Sequence, residues 1–230
     1  MQNMRISVAN RETGVFSPNN HVFMKISDML DDPGLAIARA SLQNFAKITP
    51  QYPGLRAPLD PEICADWAAQ LSPHLDDAFG YSDSHWGMQA WYSIVTERPE
   101  KLIPMQCFPH VDGTDPDQLA MMLYLDRTDH GGTAFFRHRS TGLEALTDEN
   151  FPHYRDALQA DVSESGLPSA RYVTDGAPHF ERTHATSGTF NQAVFYRGNV
   201  LHSGVIDNNL PLPENPQNGR LTINAFLRRR

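Results

Sequence analysis

His110-Val111-Asp112 sets an imidazole and a carboxylate two residues apart. Side chains alternate along an extended segment, so these two point the same way and can be offered jointly to one metal ion. A second histidine would complete a two-histidine, one-carboxylate set, which holds non-haem Fe(II) and leaves coordination positions open. His202 is the candidate, standing just after a strand-like run and a turn. Arg220 then enters another strand directly after the Asn218-Gly219 turn. On that strand Arg220, Thr222 and Asn224 share one face, and Leu221, Ile223 and Ala225 the other. Burying an arginine there is costly unless it meets an anion. A guanidinium beside a hydroxyl suits a dicarboxylic acid. The competing readings are plain: a surface loop for His110–Asp112, because Gly113-Thr114-Asp115-Pro116 follows, and a water-facing strand edge for Arg220.

Strands must carry these residues. Residues 89–95 are aromatic and β-branched, and 119–125 are apolar throughout, as in a strand buried on both faces. Further short strands read at 133–136, 192–196 and 221–227, bounded by Gly131-Gly132, Arg197-Gly198-Asn199 and Asn218-Gly219. Two helices precede them. Asp32-Pro33 starts one, with Leu35, Ala38, Leu42 and Phe45 at helical spacing until Pro50; Asp60-Pro61 starts the other, with Ile63, Trp67, Leu71 and Leu75 on one face. Helices first and short strands after predict a mostly β fold, a sandwich or barrel with helices packed outside. A third helix reads at 148–160, inside a long polar stretch from 139 to 191 that is either a substrate-facing lid or a surface excursion.

The 230 residues suit one domain: helical support over about 1–85, then a strand-rich core over about 86–230 containing that insertion. Two cysteines exclude a disulfide framework and fit a reducing compartment. No run approaches the roughly 18 apolar residues of a membrane span, and the opening residues show no signal-peptide core. The expected location is the cytoplasm. A net charge of −8 argues against a nucleic-acid partner, and Arg228-Arg229-Arg230 reads as a solvated tail. There is no glycine-rich phosphate loop, His-Glu-x-x-His, Cys-x-x-Cys or Gly-x-Ser-x-Gly.

In order and spacing, several segments resemble the 2-oxoglutarate/Fe(II)-dependent oxygenases, closest in style to the prolyl-4-hydroxylase-like branch. They are Phe108-Pro-His-Val-Asp112, Met122-Leu-Tyr-Leu-Asp126, Gly131-Gly-Thr-Ala-Phe135, Ala193-Val-Phe-Tyr196, His202 and Arg220-Leu-Thr222, so the resemblance covers roughly residues 105–227. It implies a double-stranded β-helix (jelly roll) with iron at its mouth. His110, Asp112 and His202 would ligate Fe(II). Arg220 would pair with the distal carboxylate of 2-oxoglutarate, with Thr222 and Tyr124 adding hydrogen bonds. No catalytic residue beyond the metal ligands is then needed, since metal and cofactor carry the hard step. Halogenating members of the superfamily resemble hydroxylases lacking the carboxylate ligand, so Asp112 implies hydroxylation or a related oxidation. Two features depart from the family pattern: a long stretch between His202 and Arg220, and the 139–191 insertion.

Substrate stays open among amino acids, peptides, protein side chains and small metabolites, as does a homodimer. Trp86, Trp91 and Tyr92 read as pocket lining or core, and Arg197 as an anion contact or a solvated turn residue. His130, His138, His179 and His184 read as surface or supporting histidines. The alternatives are a cupin-like metal enzyme that is not an oxygenase, and a metabolite-binding or sensor protein; Arg220-x-Thr222 discriminates against the first, while a non-catalytic binding module predicts no metal at His110 and His202.

Overall fold

A computed structural model describes residues 4–127, 131–176 and 178–229. Ten strands and three helices follow in the order β1 (Arg11–Phe16), β2 (His21–Ile26), α1 (Pro33–Ala40), β3 (Gly54–Pro58), α2 (Pro61–Phe79), β4 (Trp86–Val95), β5 (Leu119–Tyr124), β6 (Thr133–His138), α3 (Phe151–Ser165), β7 (Phe180–Ala185), β8 (Ala193–Arg197), β9 (His202–Gly204) and β10 (Arg220–Arg229). The chain is mostly β, and all its strand pairs are antiparallel.

Two sheets face each other. The large one runs β1-β2-β8-β5-β10-β4-β3 and the small one β7-β6-β9. An isolated bridge between His110 and His202 adds a fourth position to the small sheet beside β9. From β4 onward the chain therefore crosses between sheets repeatedly: β4 large, His110 small, β5 large, β6 and β7 small, β8 large, β9 small, β10 large. That alternation is the double-stranded β-helix. Strands β1, β2 and β3 widen its large sheet.

Alternation along each strand sorts the side chains. Outward-facing Ile94, Leu119, Met121, Leu123, Phe195, Leu221 and Ile223 form one apolar cluster with α1 and α2. Helix α2 is set by its ends: Asp60 accepts from the Glu62 N–H at 2.8 Å, Pro61 opens the first turn, and Gly80 closes it at φ 78°. Its stripe of Ile63, Trp67, Leu71 and Leu75 is buried. Between the sheets a second, smaller cluster holds Ala120, Tyr124, Phe135, Val194 and Tyr196. Helix α3 covers the outside of the small sheet, with Tyr154 among Ala134, Phe136 and Phe180.

Several expectations change. The first third is not helical support alone, because it contributes β1, β2 and β3 to the large sheet. Helix α1 ends at Ala40, where the Ser41 hydroxyl turns back to the Ile37 carbonyl, so Leu42 is 83% exposed and Phe45 lies beyond the helix. The 139–191 stretch holds β7, an integral strand of the small sheet, and is pinned rather than free. Tyr172 N–H donates to Asn208 Oδ1 at 2.7 Å, and its hydroxyl donates to the Glu97 carbonyl at 2.7 Å. Arg228 and Arg229 are exposed but continue β10 opposite Gly87 and Trp86 and donate to Gln118 and Asp117, so they are strand rather than tail; Arg230 lies outside the described residues. Among the described residues no helix is long and apolar enough to cross a membrane.

Candidate metal centre and its anion pocket

The small sheet brings the two histidines together. His110 N–H donates to the His202 carbonyl and His202 N–H to the His110 carbonyl, each at 2.8 Å, so the residues sit directly opposite with ring centroids 4.4 Å apart. Asp112 is fixed one step further on, its N–H donating to the Gly198 carbonyl at 2.8 Å. His202 Nδ1 lies 2.8 Å from the Val200 carbonyl, which can only accept, so the proton sits on Nδ1 and Nε2 presents a lone pair. That Nε2 is 3.5 Å from Asp112 Oδ2, while His110 Nε2 is 4.0 Å from Asp112 Oδ1. Donor atoms of all three residues lie within 4.8 Å of one another. Two ligands about 2.1 Å from one ion and at right angles would be roughly 3 Å apart, so a small closure suffices.

Electrostatics favour the metal-binding protonation state. Burial pushes the His202 imidazole down to about 4. His110 is lowered too, by the surrounding protein and by His202, although 56% of its side chain meets solvent. Asp112 is raised by burial, against the pull of His110 and of the Arg56 cation. Two neutral imidazoles beside a carboxylate short of positive partners form a set whose charge an ion would balance.

Across the interior the large sheet presents a polar row. Arg56 on β3 pairs with Ser93 on β4, Ser93 with Thr222 on β10, and Thr222 with Tyr124 on β5, so all four project from the same face. Arg220 is two residues before Thr222 and shares that face; it is 3% exposed. Its Nη2 donates to the Gly131 and Gly132 carbonyls, each at 3.2 Å. Only glycines allow this approach, since a Cβ on Gly131 would meet the Val205 carbonyl oxygen at 2.3 Å and one on Gly132 the Thr186 carbonyl oxygen at 2.2 Å.

Several polar atoms here lack partners. Among the described residues Tyr52 Oη, Arg56 Nε, Ser93 Oγ and Arg220 Nε are buried without a hydrogen bond. Buried polar groups are normally satisfied, so orphans gathered in one place mark a missing partner. Two other buried nitrogens without a hydrogen bond, His21 Nε2 and His138 Nε2, still have a carboxylate oxygen at 3.1 Å. The four at the polar row have no such neighbour. They converge because the Arg56 guanidinium lies 4.0 Å over the Tyr52 ring; burial pushes the Tyr52 hydroxyl up, against the Arg56 and Arg220 cations and the Ser93 and Thr222 hydroxyls beside it, neither of which reaches hydrogen-bonding geometry. Arg220 Nε with the Tyr52 and Ser93 hydroxyls makes a site for an acceptor with several lone pairs, such as a carboxylate, and the Arg56 guanidinium borders it.

The residues singled out in the sequence therefore fall into two groups facing each other: His110, Asp112 and His202 on the small sheet, and Arg220, Thr222 and Tyr124 on the large. Within the second group the Tyr124 hydroxyl is already engaged, 2.7 Å from Thr133 Oγ1 and 3.3 Å from Thr186 Oγ1. Thr222 Oγ1 lies 2.6 Å from Asn224 Oδ1. Tyr52, Arg56 and Ser93 were invisible in the sequence. Only Ser93, a lone hydroxyl in an apolar strand, carried any signal. Arg197 proves structural, donating to Tyr81 and to the Pro116 and Phe79 carbonyls. Trp86 and Tyr92 belong to the outer core, whereas Trp91 faces inward. His138 and His179 are buried rather than at the surface, and His184 stacks on Phe16. His130 lies outside the described residues.

Two hollows border this region. A cavity of about 460 Å³ behind the Gly131 turn is lined by Arg171, Thr174, Asp207 and Asn208. A groove of about 1360 Å³ follows α2 and the open edge of β4 and takes in Trp91 and Phe226. Neither contains a member of the triad or the polar row.

A family model described as "Family of unknown function (DUF6445)" matches residues 10–227. No curated protein matches the chain. Among solved structures it is similar to a Pseudomonas putida prolyl-4-hydroxylase, at 13% identity and TM-score 0.45 over 91% of this chain and 94% of that one. HygX from Streptomyces hygroscopicus, solved with nickel and 2-oxoglutarate bound, aligns at 13% identity and TM-score 0.45 over 89% and 81%. An N-substituted L-amino acid dioxygenase from Burkholderia ambifaria aligns at 11% identity and TM-score 0.39 over 99% and 94%.

Proposed function

The chain belongs to DUF6445, whose description assigns no activity, and we propose from the site that it is a non-haem Fe(II)/2-oxoglutarate-dependent oxygenase hydroxylating an unactivated C–H bond. One observation carries this reading: a His-Asp-His set on the small sheet faces a group of buried, unpartnered donor atoms around Arg220 on the large. A metal-dependent hydrolase or isomerase would have no use for the second feature.

His110, Asp112 and His202 would hold the metal. Arg220, with the Tyr52 and Ser93 hydroxyls, would receive the far carboxylate of the 2-oxo diacid, and Thr222 would join them on releasing Asn224. When bound, the metal and 2-oxoglutarate would supply the oxygen activation, with O₂ as oxidant, succinate and CO₂ as co-products and a hydroxyl on the substrate carbon. What the protein adds is position and dryness. The Val200 carbonyl fixes the His202 tautomer, and the Gly131 and Gly132 carbonyls aim the Arg220 fork. The substrate is an amino acid, peptide or small metabolite, and the protein works in the cytoplasm.

The test is thermal stability with Mn(II), with and without 2-oxoglutarate or its unreactive analogue N-oxalylglycine. Ligands that bind only the folded chain raise its melting temperature. Wild type should respond to metal and further to the diacid, whereas Arg220→Met should keep the metal response and lose the second. A metal response alone in wild type would favour the cupin-like alternative, and no response to either would favour a binding module.

A further inference from the structure

Arg56 is a second cation in this interior, and its circumstances differ from those of Arg220. Arg220 is sealed and anchored to two backbone carbonyls. Arg56 is only half-buried, and among the described residues its side chain makes no hydrogen bond or ion pair. Its guanidinium rests on Tyr52 and lies 5.8 Å from the centre of the Trp91 ring. Its pairing places it at the β3 end of the polar row, two strands from Thr222. β3 is paired on both sides at this point, to Ser93 on β4 and to Ala46, which fixes the backbone beneath it.

Charge counting gives Arg56 a role. With a divalent metal and a dianionic 2-oxo diacid in place, Asp112 and the diacid balance the metal and one arginine. With both histidines neutral, one positive charge is left over. A cation in a pocket of low polarity is expensive without a counter-charge. The neighbouring row toward the open end of the interior consists of Trp91, Asn224 and Met122, followed by Phe226; all four are half-buried. Trp91 and Phe226 meet edge to face with centroids 5.9 Å apart. The leftover charge thus borders an accessible aromatic floor, which also lines the groove along α2 and the edge of β4.

We propose that Arg56 receives the carboxylate of the substrate, and that the substrate is a small organic acid whose flat apolar body lies on Trp91 and Phe226. This rests on the oxygenase reading above. A guanidinium already stacked on Tyr52 keeps its edge donors free for a carboxylate fork. The acid would be held by its charge at one end, with a C–H bond presented to the metal.

The experiment uses the full chain loaded with Mn(II) and N-oxalylglycine, titrated with phenylacetate and indole-3-acetate and with the matching neutral amides, read by melting temperature and tryptophan fluorescence. The acids should bind at millimolar concentration and the amides at least tenfold more weakly. Arg56→Met should weaken the acids at least tenfold while changing the N-oxalylglycine Kd less than twofold, and Arg56→Lys should restore part of the acid binding. Acids and amides binding alike, no acid binding at all, or undiminished acid binding in Arg56→Met would each overturn the proposal. A tenfold loss of N-oxalylglycine affinity in Arg56→Met would also overturn it, by assigning Arg56 to the cofactor. Should wild type fail to bind N-oxalylglycine in the presence of Mn(II), the oxygenase reading falls and takes this inference with it. Failure of the acids alone leaves that reading standing.

Discussion

The large sheet covers both of its faces, but with different things. Its outer face meets α1 and α2 in an apolar cluster where Trp67, Leu71, Leu75, Ile94, Leu123 and Ile223 show no exposure. Its inner face carries Arg56, Ser93, Thr222 and Arg220, four polar side chains in a space that the small sheet only partly closes. One face is filled by the chain itself, and the other leaves donors without partners. The outer layer supplies stability that the inner layer gives up, the usual relation between a scaffold and a site.

Two tryptophans make the contrast measurable. Trp67 is fully buried in the outer layer, with its Nε1 donating to the Met4 carbonyl at 2.8 Å. Trp91 is half-buried on the inner face. Trp67→Ala should cost about 3–5 kcal/mol, the usual range for emptying a large aromatic site. Trp91→Ala should cost less, because the folded chain already leaves part of the side chain in contact with solvent. Urea midpoints with unchanged slopes would establish both values, and equal losses would abolish the distinction between the faces.

The same asymmetry explains what could be read in advance. Strands β4, β5, β8 and β10 announced themselves because their outward residues form apolar runs between turn residues, and α2 because its stripe and caps agree. His110, Asp112, His202 and Arg220 were legible because metal and carboxylate chemistry demand particular residue types at recognisable places on those strands. Strands β1 and β7 were not legible. Arg11-Glu-Thr-Gly-Val-Phe16 and Phe180-Glu-Arg-Thr-His-Ala185 are largely polar edge strands, held by the ladder beside them rather than by their own apolar pattern. Tyr52 and Arg56 stayed hidden for a related reason. Their place in the site comes from the pairing of β3 with β4, a long-range register that no local spacing encodes.

A second, smaller difference between the faces concerns protons. His202 has its pKa pushed down to about 4 by burial, from an ordinary 6.5. Between those values the unfolded chain takes up a proton that the folded chain refuses, so stability falls as pH drops through the window and is fully present above it. In EDTA the wild type should be less stable at pH 5 than at pH 7, with His202 contributing about 1–2 kcal/mol of the difference. His202→Gln should flatten the dependence by that amount. An unchanged slope would mean that the imidazole is protonated in the folded chain and that the interior is wetter than its packing implies.

The smallest effect is the most diagnostic of the inner face. Removing a satisfied buried hydroxyl normally destabilises, whereas removing an orphan does not, because no bond is lost and a desolvation penalty disappears. Tyr52→Phe and Ser93→Ala delete two of the unpartnered oxygens while keeping the ring and most of the volume. Each should leave the ligand-free chain as stable as wild type, or more stable by up to about 1 kcal/mol. The satisfied counterpart is Tyr124, whose hydroxyl is 2.7 Å from Thr133 Oγ1. Tyr124→Phe should therefore cost about 1 kcal/mol. The ordering should reverse for N-oxalylglycine in the presence of Mn(II), whose affinity should fall more in Tyr52→Phe and Ser93→Ala than in Tyr124→Phe. If Tyr52→Phe destabilises as much as Tyr124→Phe, its hydroxyl already has a partner, and the pocket loses one of the donors that define it.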